Sequence, residues 1–221
     1  MVETLNDAQI KRLFSVIGRK SEKGFSGYCM LLVLLDTGVR LSELVNLQVR
    51  DLDLERGFFK VMGKGARERL VPFGARVQTA LWKYIHRFRS EPFHPNIGNL
   101  FLKSSGMPLS CGQVYRRIRQ FGRKAGIEDV RCSPHTFRHT FAKKFLVNGG
   151  DLFTLQKILG HSSLAVVRMY VELTSEDVRV RHRQYTSVDW IKVQLTPRAV
   201  PSARPRNCTS LAGRGELWYQ D

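Results

Sequence analysis

Apolar residues recur at helical spacing over most of the first 50 positions of the chain. Asn6 suits an N-cap, and the apolar face that follows it consists of Ile10, Leu13, Phe14 and Ile17. After a polar linker over 20–24, the segment 25–36 is almost entirely apolar, which predicts a helix at the buried centre of the fold. Gly38 ends this helix, and a further helix is predicted over 42–48.

The period of the pattern changes to two between positions 52 and 72. Apolar and polar residues alternate around turn sequences at 55–57 and 63–65, and Pro72 ends the segment. This pattern predicts a small antiparallel sheet of two or three strands.

Helical spacing returns after the sheet and continues to about residue 184. The predicted helices cover 75–88, 111–125, 136–147, 152–159, 164–170 and 175–184. Positions 90–110 are rich in proline and glycine and predict a loop around one short buried strand at 100–102. The fold class is therefore mainly α with a small antiparallel β-sheet (α+β). The stretch 196–221 has three prolines, four arginines and few aliphatic residues, so we expect a disordered basic tail.

Charge narrows the classes of partner. The 36 basic and 19 acidic residues give a net charge of +17, which favours a polyanion, although membrane-surface and heparin-binding proteins share such a balance. The longest apolar run has seven residues, far fewer than the roughly 20 that a membrane-spanning helix needs. None of the four cysteines forms a CxxC pair, so we expect reduced thiols in the cytoplasm and no structural zinc.

Six scattered residues form a set that could cleave a phosphodiester without a metal. Arginine forks neutralise non-bridging oxygens, a tyrosine hydroxyl attacks phosphorus, and lysine and histidine move protons. The candidates are Arg40, Lys64, His135, Arg138, His161 and Tyr170.

Each candidate also has an ordinary structural interpretation. Arg40 opens a predicted helix and could simply pair with Glu43 in solvent, and Lys64, between two glycines, could serve solubility at a hairpin turn. On the strand after Lys64, Arg67 and Arg69 share one face, where we expect contact with the DNA backbone.

The two histidines of the HTFRH motif leave a metal site open as an alternative. His135 and His139 have the spacing of a helical zinc pair, but Thr136 stands where the HExxH signature needs glutamate. Both later candidates also have an ordinary structural interpretation. His161, which follows the helix-ending Gly160, could serve to cap helix carbonyls, and Tyr170 could serve to pack against a core.

The motifs TGVRLSEL, GKGARERLVPF, HTFRH, LGH and VRMY together resemble the catalytic domain of the tyrosine recombinase, or phage integrase, family, from about Leu5 to Gln184. The resemblance implies that Arg40 and Arg138 clamp the phosphate, with Glu43 fixing Arg40. It implies that Lys64 protonates the leaving 5′ oxygen, that His135 assists proton transfer, and that His161 donates to the phosphate. Tyr170, nine residues after His161, becomes the nucleophile, and Tyr185 lies outside any motif.

The resemblance also sets the expected organisation and partners. We expect a catalytic domain over 1–185, a tail over 186–221, and no N-terminal core-binding domain. The implied partner is double-stranded DNA, with self-assembly on it from dimer to tetramer, in the cytoplasm at the nucleoid and without membrane, metal or cofactor. Two alternatives stay open. One is a DNA-binding remnant, supported by the helix-turn-helix pattern over 136–159; the other is strand relaxation like that of a type IB topoisomerase.

Overall fold

The computed structural model describes residues 3–63 and 68–160. The almost entirely apolar segment in the first third of the sequence forms its central helix. Within these ranges the helices are α1 (Asp7–Ser15), α2 (Glu22–Thr37), α3 (Leu41–Asn46), α4 (Ala75–Lys83), α5 (Cys111–Lys124), α6 (Pro134–Val147) and α7 (Leu152–Leu159). The strands are β1 (Leu52–Asp53), β2 (Phe58–Met62) and β3 (Glu68–Pro72). The predicted fold class is confirmed. The predicted helices at 164–170 and 175–184 and the predicted tail lie outside the described residues.

Local capping chemistry sets the ends of the first two helices. Asn6 and Gln9 form a reciprocal box, in which each side chain accepts the backbone N–H of the other, at 2.8 and 2.7 Å. Ser21 caps α2, which therefore begins at Glu22, within the segment predicted as a linker. Gly38 ends α2 in the left-handed conformation, as predicted.

The predicted sheet is confirmed, with three antiparallel strands in the order β1-β2-β3. Phe59 pairs with Val71 and Val61 with Arg69, so these four side chains lie on one face of the sheet. Phe59, Val61 and Val71 are buried there. The third strand thus carries an arginine on the side of the sheet that faces the core.

The segment after the sheet departs from the prediction in two places. The helix predicted over 75–88 is α-helical only to Lys83 and finishes in a π-helical turn, Tyr84–Phe88. The strand predicted at 100–102 is wrong, since this buried stretch makes only isolated bridges (Gln48 with Asn99, Leu102 with Pro108). The backbone N–H of Leu100 donates to the carbonyl of Leu47, and its carbonyl accepts from Arg89 Nε, so both polar groups of this residue have partners outside a strand.

The core is built around α2 and α6. Along α6 the buried positions cover more than one face, including Phe137, Phe141 and Ala142, as expected for a helix enclosed by neighbours. The N-terminal segment is fastened to the later part of the chain, because the backbone N–H of Leu5 donates to Thr140 Oγ1 at 2.9 Å. The amide of Gln9 also binds the carboxylate of Asp129, at 2.8 and 3.0 Å. No helix within the described ranges combines the length and apolarity that a bilayer crossing requires.

Candidate active site

Arg40 lies where the chain leaves the central helix and starts α3. Gly38 makes the turn with φ +61°, and a Cβ there would come within 2.4 Å of Phe141 Cδ1, so only glycine fits. Val39 is buried, and Arg40 follows as the N-cap residue with 38% of its side chain exposed. The turn therefore anchors the backbone of Arg40 in the core while its guanidinium remains accessible.

Glu43 holds Arg40 in place. Its carboxylate accepts the backbone N–H of Arg40 at 2.8 Å and Arg40 Nη1 at 3.1 Å. The contact predicted between these two residues is thus confirmed, while its role at a phosphate stays a prediction. Only 3% of the Glu43 side chain is exposed, so its charge needs partners inside the protein.

Arg69 supplies the second cation to the same carboxylate. Arg69 Nη1 and Nη2 donate to Glu43 Oε1 and Oε2, each at 2.8 Å, in a two-point fork. Burial alone would raise the pKa of Glu43, but the hydrogen bonds from Arg69 and Arg40 outweigh it and lower the pKa below its ordinary value. Glu43 is therefore an ionised carboxylate shared by two arginines.

Arg138 connects the two ends of the cluster from α6. Its Nη1 donates to the carbonyl of Gly38 at 2.6 Å, and its Nη2 donates to the carbonyl of Leu159 at 2.8 Å. The residue is 6% exposed. Because Gly38 is two positions before Arg40, these bonds bring the two arginines predicted to clamp a phosphate to one place in the fold, 98 positions apart in sequence.

The end of α7 completes the cluster. Its carbonyl of Ile158 accepts Arg69 Nε at 2.9 Å, next to the Leu159 carbonyl that Arg138 binds. Gly160 then ends the helix with φ +65°, and a Cβ there would lie 3.1 Å from the Arg69 side chain. Two arginines from different elements thus bind the last two carbonyls of α7.

The first turn of α6 places His135 at the surface, one turn from Arg138. His139 is half-buried, and its burial, together with the nearby His135 and Arg138, lowers its pKa. The neutral form of His139 is therefore favoured at neutral pH. Within residues 3–63 and 68–160, no three His, Cys, Asp or Glu side chains are grouped so as to hold a metal ion.

Residues 3–177 match the phage integrase family. The chain belongs to the phage integrase family. It is 33% identical over 184 residues to the tyrosine recombinase XerD of Staphylococcus haemolyticus, covering 83% of this chain and 62% of that protein. For the XerD of Staphylococcus aureus the identity is 35% with the same coverage. The chain therefore spans about three fifths of the length of these phage integrase relatives.

Solved structures of phage integrase relatives share the fold. The XerA recombinase has a TM-score of 0.71 at 31% identity, over 84% of this chain and 66% of that one. The Tn1549 transposon integrase in complex with circular intermediate DNA has a TM-score of 0.65 at 26% identity, over 82% and 66%. The resemblance stated from the sequence is confirmed, and so is the fold that it implied.

The structure brings some of the predicted site residues of this phage integrase together and leaves others undescribed. Arg40, Glu43 and Arg138 form one connected cluster, with His135 one turn away. Lys64, Arg67, His161 and Tyr170 lie outside the described residues. Arg69 differs from expectation: three of its N–H groups bind inside the protein, so its predicted contact with DNA stays a prediction beside an internal role. Its place in the strand, two residues from the buried Val71, was the signal for that role.

Proposed function

We propose that this chain breaks and rejoins DNA at specific sites through a covalent 3′-phosphotyrosyl intermediate. Family membership supports the reaction class. The observation that carries the proposal is the bond from Arg138 to the carbonyl of Gly38, since it puts both phosphate-clamping candidates beside one turn of the chain. Two arginine side chains at one place suit the negative charge of a single phosphodiester.

In the proposed reaction the hydroxyl oxygen of Tyr170 attacks phosphorus, and the bond from phosphorus to the 5′ oxygen breaks. His135 accepts the tyrosine proton, and Lys64 gives a proton to the departing 5′ oxygen, which leaves as a hydroxyl. Arg40, Arg138 and His161 stabilise the charge that develops on the phosphoryl oxygens.

Rejoining is the same step in reverse. A 5′ hydroxyl from another strand attacks the phosphotyrosine and releases Tyr170. Because the phosphotyrosyl ester conserves the energy of the phosphodiester, the proposal requires neither ATP nor a divalent ion.

The proposed substrate is double-stranded DNA of a mobile element, with protomers assembling on it. The net charge of +17 supports DNA as the partner. The Tn1549 transposon integrase, whose structure contains a circular intermediate DNA, supports integration or excision as the setting.

The test is covalent trapping on a nicked strand. Protein is incubated with labelled, nicked duplex DNA in excess EDTA and analysed by denaturing electrophoresis. We expect wild type to form an adduct and Tyr170→Phe to form none, because the substitution removes the attacking oxygen and leaves the ring to pack. Tyr185→Phe is the matched control and should form the adduct at the wild-type rate.

Three results would contradict the proposal. An adduct with Tyr170→Phe would assign the nucleophile to another residue. A wild-type protein that binds DNA yet forms no adduct on any nicked substrate would favour the DNA-binding remnant. Dependence of the adduct on added magnesium or zinc would restore the metal interpretation of His135 and His139.

A further inference from the structure

Arg69 uses all three nitrogens of its guanidinium inside the protein. Nη1 and Nη2 bind the two oxygens of Glu43, and Nε binds the carbonyl of Ile158, at 2.8, 2.8 and 2.9 Å. The side chain is 13% exposed. Such an arginine acts first on its protein neighbours, so its consequences depend on what those neighbours position.

The first neighbour leads to Arg40. Glu43 Oε1 accepts from both Arg69 Nη1 and Arg40 Nη1, and Glu43 Oε2 accepts from both Arg69 Nη2 and the backbone N–H of Arg40. Each carboxylate oxygen is therefore shared between the two arginines. If the Arg69 fork is lost, Glu43 can rotate, and both the main chain and the guanidinium of Arg40 lose their fixed partner.

The second neighbour leads to the end of α7. The Ile158 carbonyl is one of the helix-terminal acceptors that have no partner within the helix, and Arg69 satisfies it from β3. Arg138 does the same for Leu159. A Cβ at Gly160 would lie 3.1 Å from the Arg69 side chain, so the C-cap of α7 also lies against Arg69.

We propose that Arg69 is a positioning residue for strand cleavage, one that aligns Arg40 through Glu43 and fixes the C-terminal end of α7 through the Ile158 carbonyl. The inference rests on the proposed function and deepens it. It adds a third arginine to the two phosphate-clamping candidates and gives it no contact with the phosphate.

The chemistry of the site requires arginine at this position. The three bonds of Arg69 lie in the plane of one rigid group and point in two directions, toward a carboxylate and toward a carbonyl. A lysine ammonium at residue 69 keeps the charge but cannot reach both neighbours with fixed geometry. Misplacement of a catalytic group by about 1 Å can reduce a rate about 100-fold, so a lost fork at Arg69 should appear in the rate of cleavage.

The decisive variant is Arg69→Lys, tested on the nicked substrate. We expect the rate of adduct formation at saturating DNA to fall about 10- to 100-fold, while the Kd for the same DNA changes by less than about twofold. Arg56→Lys is the matched control, since Arg56 also faces a carboxylate, that of Asp53, but is 78% exposed. It should leave the rate unchanged.

A double-mutant cycle separates positioning through Glu43 from an independent effect. If Arg69 acts through Glu43, the double variant Arg69→Lys with Glu43→Gln should be no slower than the slower single variant, within about threefold. Glu43→Asp tests the same link should Arg69→Lys not fold: it keeps the charge, shortens the reach, and should also slow cleavage without weakening binding.

Three outcomes would overturn the inference while leaving the proposed function intact. These are a normal rate in folded Arg69→Lys, multiplicative losses in the double variant, and equal losses of rate and affinity, which would make Arg69 a DNA contact. Failure of the proposed function itself is distinct, because the wild-type protein would then form no adduct.

Discussion

Glu43 is a carboxylate held between two guanidinium groups, and most of the geometry of the candidate site depends on it. Two buried oxygens accept four hydrogen bonds, from Arg40 and Arg69. Removing one member of a buried charged cluster leaves the others without compensation, which costs more than the cluster contributes as a whole. At the residue scale, the ionisation of Glu43 is therefore the property to test.

Replacing Glu43 by glutamine should destabilise the protein in a pH-dependent way. At pH 7.5 we expect Glu43→Gln to reduce the free energy of unfolding by about 3 kcal/mol, because Arg69 loses a buried counter-charge. The folded-state pKa of Glu43 is lowered from 4.5, so its stabilisation is complete above that pH and is lost as the pH falls through the folded-state value. The difference between variant and wild type should therefore shrink below about pH 4.5.

Urea unfolding at pH 7.5, 5.5 and 3.5 measures this difference. Glu68→Gln is the control, since Glu68 pairs with Lys60 at 3.4 Å on the surface and its loss should cost less than about 1 kcal/mol at any of these pH values. A gap between Glu43→Gln and wild type that is constant with pH would show that the ionised carboxylate is not the source of the stabilisation.

At the element scale, the position of the site depends on how α2 ends against α6 and α7. Gly38 meets three structural requirements at once: a left-handed backbone, close packing against Phe141 and Leu159, and a carbonyl that accepts from Arg138. Any glycine at a helix C-terminus meets the first requirement, whereas the second is particular to this junction.

Alanine substitution separates the cost of the left-handed backbone from the cost of close packing. Gly38 and Gly126 have nearly the same φ, +61° and +60°, but a Cβ at Gly126 meets nothing within 4 Å, whereas at Gly38 it would lie 2.4 Å from Phe141 Cδ1. We expect Gly126→Ala to cost about 1 to 2 kcal/mol from the backbone conformation alone. Gly38→Ala should cost about 1 to 3 kcal/mol more through overpacking. Thermal unfolding of both variants measures the difference, and equal losses would contradict it.

The elements could be predicted where local chemistry decides them. The start of α1 at Asn6, the end of α2 at Gly38 and the bounds of α7 follow from caps and spacing and are confirmed. The prediction of a strand at 100–102 is wrong because an apolar run indicates only burial, whereas a strand also needs a neighbouring strand with which to pair. The partnership of Arg69 with Glu43 joins residues 26 positions apart in different elements, which no local pattern encodes.

At the scale of the whole molecule, the excess of positive charge is the dominant property. With a net charge of +17, association with any duplex should have a large sequence-independent component that arises from counterion release. Arg69 contributes little to it, because its side chain is largely buried and binds protein atoms.

Binding to random duplex DNA should therefore weaken steeply with salt. We expect log K to fall by roughly 0.9 per phosphate neutralised for each unit of log salt concentration. For six or more contacts the loss of affinity between 50 and 200 mM is at least about 1000-fold. Fluorescence anisotropy over this range measures the slope. A flat dependence would remove nucleic acid as the main partner.

The attachment of the N-terminal segment to residues far along the chain sets a minimum delay during synthesis. The backbone N–H of Leu5 binds Thr140, 135 positions later, and Gln9 binds Asp129, 120 positions later. Neither contact can form until Thr140 and Asp129 have left the ribosome. At about 5 to 20 residues per second, the interval between Leu5 and Thr140 is roughly 7 to 27 seconds. Helix α1 thus waits for these partners while more than 100 later residues are made, and during that interval its apolar side has only nascent chain or cellular factors to cover it.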